Sequence, residues 1–150
     1  MIKIRSMDRH WWRCWVPETL CRLDGNSLEG ADLRNACLDR ADLRGACLCG
    51  ANLRQTELRG ANLKKTDLTG ANLRHADLRG ARLVEANLGG ADLRYAELAG
   101  ADLVGAQFDL NTQWPAQFRP ELRGAVRRGG QAGPAEVHQV TIHGPRVKRL

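Results

Sequence analysis

Few side chains in this sequence are disposed to break or make covalent bonds, whereas many are disposed to hold an anion. Ser6 and Ser27 are the only serines, and no Ser-His-Asp or Cys-His arrangement suggests a nucleophile with its base. Cys47 and Cys49 flank Leu48 with no histidine near them in sequence. A metal usually needs about four well-placed ligands, so these are expected to be structural thiols, with no metal or cofactor. Nor do the glycines stand before a helix as a phosphate-cradling loop would require. By contrast, Arg34, Arg54, Arg74 and Arg94 recur at equal intervals, each two residues after Asp32, Asn52, Asn72 or Asp92. The residues that follow them are Asn35, Gln55, His75 and Tyr95. Guanidinium forks grip carboxylates and phosphates in bidentate fashion, so the chemistry on offer is recognition.

The elements that position these arginines follow from a repeat of five. A leucine returns every fifth residue from Leu23 to Leu103, and Phe108 takes the next place, which makes eighteen units over residues 21–110. Two positions earlier stands a small residue: Ala in fourteen units, Thr56 and Thr66 in two, Cys21 and Asn26 in the others. The unit reads Ala-(Asp/Asn)-Leu-X-X, as in Ala71-Asn72-Leu73-Arg74-His75. A helix cannot use it, because five residues overshoot a turn by about 140° and the leucines would spiral around the axis. Gly50, Gly60, Gly70, Gly80, Gly90 and Gly100 count further against helix. A flat strand fails too, since an odd period turns alternate leucines outward. Ala-X-Leu is therefore a short extended piece with both apolar residues on one side, and X-X is a corner.

This pattern resembles that of the pentapeptide-repeat family. The resemblance implies an all-β fold, a right-handed quadrilateral parallel β-helix with four units per coil. Over residues 21–110 it implies about four and a half coils, leucines stacked along the axis and alanines closing the walls. Such an interior leaves no room for a ligand. Four units per coil also implies that residues twenty apart stack, so that Arg34, Arg54, Arg74 and Arg94 form a ladder with His75 and Tyr95 beside it. The opposite side runs from Arg44 and Lys64 to Val84 and Val104, apolar toward the carboxy-terminal end. That patch is expected either to be covered by the segment around Trp114 and Phe118 or to meet a second subunit, as the resemblance suggests for members that dimerise there.

A solenoid needs its ends capped. Trp11, Trp12 and Trp15 fall before the repeat, and Trp114 and Phe118 after it. The expected division is an amino-terminal cap over 1–20, the β-helix over 21–110, a carboxy-terminal cap over 111–125 and a disordered basic tail over 126–150. The formal charge of +6 belongs to the tails: residues 21–110 carry 12 Lys and Arg against 13 Asp and Glu. Five cysteines form no even disulfide framework, and the first twenty residues lack a long apolar run. These features lead to the expectation of a cytoplasmic protein with free thiols.

The expected function is a non-catalytic scaffold presenting a rigid face, the arginine ladder, to an unidentified protein partner, as monomer or homodimer. Two alternatives come from other considerations. The best-known branch of the family mimics DNA with a strongly acidic surface and binds a type II topoisomerase (gyrase); here the repeat is near neutral. The ladder and basic tail could also bind nucleic acid or another polyanion, with an affinity that falls steeply with salt.

Overall fold

A computed structural model of the chain describes residue 25 and residues 27–129. Each five-residue unit donates one residue to a wall of parallel bridges, the polar residue between alanine and leucine. The bridges step by twenty, as in Asp32↔Asn52↔Asn72↔Asp92 and Ser27↔Cys47↔Asp67↔Asn87↔Gln107. Twenty residues therefore return the chain to its own side one coil on, after four straight pieces and four corners. At each rung two backbone bonds cross between coils, for example Asn62 N to Ala41 O at 2.9 Å and Leu63 N to Arg82 O at 2.8 Å. With a corner after every fifth residue, pairings among the described residues stay at one or two residues, and the wall is a ladder of short pairings.

The corners explain the glycines. The second corner residue adopts a left-handed backbone, with φ near 63° at Gly50 and 65° at Gly80. A side chain there is strained, yet Asn35, Arg40, Gln55, Lys65, His75, Glu85 and Tyr95 all take it, with φ from 56° to 63°.

Inside, the leucines from Leu43 to Leu93 are fully buried, and the alanines between them nearly all so. Thr56 and Thr66 replace alanine without leaving a polar orphan: their hydroxyls donate to the carbonyls of Leu33 (2.8 Å) and Leu43 (2.7 Å).

The winding continues past residue 110 after a one-residue insertion. Leu93 N bonds Gln113 O and Gln113 N bonds Ala91 O, the pattern that Asp92 makes with Leu73 and Ala71. Asp92 thus pairs with Gln113, twenty-one residues on, and Trp114 falls where a leucine would stand. Thr112 occupies the alanine place and donates to Leu88 O at 2.8 Å. The Asp109 carboxylate gathers the insertion by accepting from the backbone of Gly90, Asn111 and Thr112. A 3-10 helix, Pro120–Arg123, then leads into strand β2 (Val126–Arg127), which pairs in parallel with β1 (Gln107–Phe108). The first residues of the expected tail are therefore part of the wall. The expected amino-terminal cap with its three tryptophans, and residues 130–150 of the tail, lie outside the described residues.

One expectation is corrected. Cys37 is disulfide-bonded, while Cys47 and Cys49 are free, so the reading of free thiols throughout does not hold. Composition gives an odd cysteine count and says nothing of which sulfurs the coils bring within reach. Among the described residues no helix is long and apolar enough to cross a membrane.

Candidate interaction surface

The column Asp32, Asn52, Asn72, Asp92 is one continuous side of the wall, so the arginine two residues after each lies directly above the one before. Neighbouring coils of a hydrogen-bonded wall are about 4.8 Å apart, which sets the rise between successive arginines. The four do not share one state. Arg34 forms a bidentate pair with Asp32, Nε at 2.8 Å and the terminal nitrogen at 2.7 Å. Arg94 does the same with Asp92 at 2.9 and 2.7 Å. These guanidiniums hold the carboxyls of Asp32 and Asp92 below their ordinary range. Asn52 and Asn72, in the two middle coils, accept from the backbone amides of Arg54 and Arg74 as Asp32 and Asp92 do from theirs, but make no bond to the guanidinium. An amide cannot neutralise a guanidinium, and among the described residues no carboxylate comes within ion-pair distance of Arg54 or Arg74. The Arg74 Nε is buried and makes no hydrogen bond.

Aromatic rings frame this gap. His75 and Tyr95, on successive coils, stack with centroids 4.9 Å apart and planes 12° from parallel. The Arg74 guanidinium lies 5.6 Å from the Tyr95 ring centre, within cation–π range. Tyr95 is 63% exposed, and His75 beside it is exposed too. Both rings sit at left-handed corners, φ 57° and 63°, where an aromatic side chain is costly and glycine would be easier.

The adjoining side shows what a self-contained face looks like. Arg59 reaches Asp39 (3.2 Å), Asp77 (3.4 Å) and Glu57 (3.4 Å), and Arg79 reaches Asp77 (2.6 Å) and Glu97 (3.2 Å). Its charges are consumed internally. Cys37, Asp39 and Glu57 come together there, but the disulfide removes the Cys37 sulfur and Arg59 pairs with both acids.

The carboxy-terminal candidates separate into two groups. Trp114 meets Phe108 edge-on at 5.6 Å, stacks on Phe118 at 5.4 Å, and both cover the end of the leucine core. Val84 is half-buried, while Val104 stays 59% exposed although the Gly124 backbone packs against it. The expected covering of the valines by the Trp114–Phe118 segment is therefore not what brings those aromatics in. Composition could not reveal it, because the insertion at 109–112 moves Trp114 into the core column. A shallow open cleft of about 260 Å³ lies between Leu98 and Phe118.

Comparison with known proteins agrees with the repeat. The family model for pentapeptide repeats matches in eight copies over residues 36–74 and 71–109. A pentapeptide repeat protein from Nostoc PCC 7120 is similar at 40% identity, covering 74% of this chain and 89% of that one, with a TM-score of 0.68. Rfr23 from the cyanobacterium Cyanothece 51142 is similar at 41% identity over 59% of this chain and 60% of its own, TM-score 0.58. HetL of Nostoc sp. strain PCC 7120, a pentapeptide repeat protein involved in heterocyst differentiation regulation, is 31% identical over 70% of this chain and 59% of its own, TM-score 0.50. No match was found among curated proteins. With the period of five, the twenty-residue step between bridges and these relatives in agreement, the chain belongs to the pentapeptide-repeat family.

Proposed function

We propose that this protein is a non-catalytic rod, a right-handed β-helix of about four and a half coils over residues 21–110, that docks a carboxylate-bearing protein partner on the face of Arg54, Arg74, His75 and Tyr95. The observation that carries this reading is the break in the ladder: the outer arginines are neutralised in bidentate pairs and the two middle ones are not. Stacked guanidiniums repel by only about 1 kcal/mol in water, so the arrangement is tolerable without a ligand. A partner carboxylate would supply the bidentate contacts that asparagine cannot. The packed leucine interior supports a surface role over an enclosed active site.

The test is affinity capture from native lysate with wild type, an Arg54→Glu/Arg74→Glu variant and an Arg44→Glu variant on the opposite side. Loss of one captured protein in the double variant, with retention in Arg44→Glu, locates partner and face. Equal capture by all three contradicts the assignment. Duplex DNA that binds the wild type at low salt and releases as salt rises would point to the polyanion alternative instead.

Val104, Leu122 and Val126, 59, 79 and 55% exposed, support a second contact at the carboxy-terminal end, pairing with another copy of the chain. Sedimentation should show a concentration-dependent dimer that Val104→Asp abolishes, whereas an unchanged distribution would exclude it.

A further inference from the structure

Cys47 and Cys49 lie on the side of the coil that bridges Ser27, Cys47, Asp67 and Asn87, which adjoins the ladder side across the Cys49–Gly50 corner. Their sulfurs are side by side, and both side chains are half-buried. The backbone beneath them is held from both neighbouring coils: Leu28 N bonds Cys47 O at 2.7 Å, Gly30 N bonds Cys49 O at 2.9 Å and Leu48 N bonds Asp67 O at 2.7 Å. The two thiols are thus set on a rigid wall, pointing the same way, before any ligand arrives.

The donor set selects the cation. Zinc prefers four ligands in a tetrahedron, and His75, the one histidine among the described residues, belongs to the ladder side instead. Asp67, Cys47 and Cys49 do not close into a compact three-ligand group; among the described residues only Cys37, Asp39 and Glu57 do so. Two sulfurs without a third ligand suit a soft ion of low coordination number. We propose that Cys47 and Cys49 form a two-sulfur site for a monovalent soft cation of the Cu(I) class. Loading converts two thiols and one Cu(I) into a bis-thiolate complex, releasing two protons to solvent with no change in oxidation state. Metal–sulfur bonds of about 2.3 Å, the zinc value, would need the sulfurs to open to at most about 4.6 Å. Rotation about χ1 of two partly exposed side chains can supply that.

The test uses the full chain under anaerobic conditions with the coloured Cu(I)–bicinchoninate complex as the copper source. Wild type should withdraw one equivalent more copper than Cys47→Ser or Cys49→Ser, with far-ultraviolet circular dichroism unchanged. As a check that needs no variant, Cu(I) should shield both thiols of wild type from iodoacetamide, read by mass spectrometry of the peptide that carries them. Equal copper uptake by all three proteins, or full alkylation in the presence of Cu(I), overturns the proposal. So does uptake of Zn(II), from a coloured zinc indicator, that depends on Cys47 and Cys49 in the same way.

Discussion

A side chain's partner in this protein is set by what stands twenty residues away and two residues back. Arg94 and Arg74 occupy the same unit position, yet one is followed back to a carboxylate and the other to an amide, and only the first forms an ion pair. Backbone strain is equally local. Gly80 has φ 65° and open space where a Cβ would be, so Gly80→Ala should cost about 1–2 kcal/mol through backbone conformation alone. Gln55 holds φ 58°, and Gln55→Gly should stabilise by up to about 1 kcal/mol, since relief of strain outweighs the added freedom of the unfolded chain. Urea midpoints compare both with wild type. At this scale the sequence showed the arginines and their intervals. It could not show the orphaned Arg74 Nε or the contact between Cys47 and Cys49, because side-chain torsions are free until the neighbouring coil is in place.

The coil is the element, and its stability comes from the leucine column and the hydrogen bonds that close each rung. Leu63, fully buried in the middle of the column, should lose about 2–5 kcal/mol as Leu63→Ala, the cost of burial lost plus the cavity left. Thr56→Val should cost less, about 0.5–1.5 kcal/mol. It removes the hydroxyl bond to Leu33 O but leaves that carbonyl accepting from Ala36 N at 3.1 Å. Chemical denaturation of the two variants tests this ordering. The period of five was enough to exclude helix and flat strand, and to place Leu33 to Leu103 inside. The register shift at 109–112 was not legible, because a single inserted residue disturbs the pattern only once and Trp114 in a leucine place resembles an ordinary cap aromatic.

For the molecule as a whole, charge is arranged by side. One face satisfies itself through Arg59 and Arg79, and the ladder face satisfies only its ends. Arg79 and Arg94 first of all hold Asp77 and Asp92 below their ordinary value of 3.8. A carboxylate depressed in the folded state stabilises it above the unfolded value and loses that contribution as pH falls through the folded one. The melting temperature should therefore be level from neutral to about pH 5 and decline below 3.8. A decline that begins near neutrality would contradict this. The central claim, that the middle of the ladder is the part left open for a carboxylate, is reached most directly by titrating isotope-labelled protein with a short polyglutamate peptide at low salt. The arginine Nε–Hε resonances are followed through the titration. The predicted result is a shift at Arg54 and Arg74 with Arg34 and Arg94 unmoved. Equal shifts at all four, or none at Arg54 and Arg74, would contradict the account.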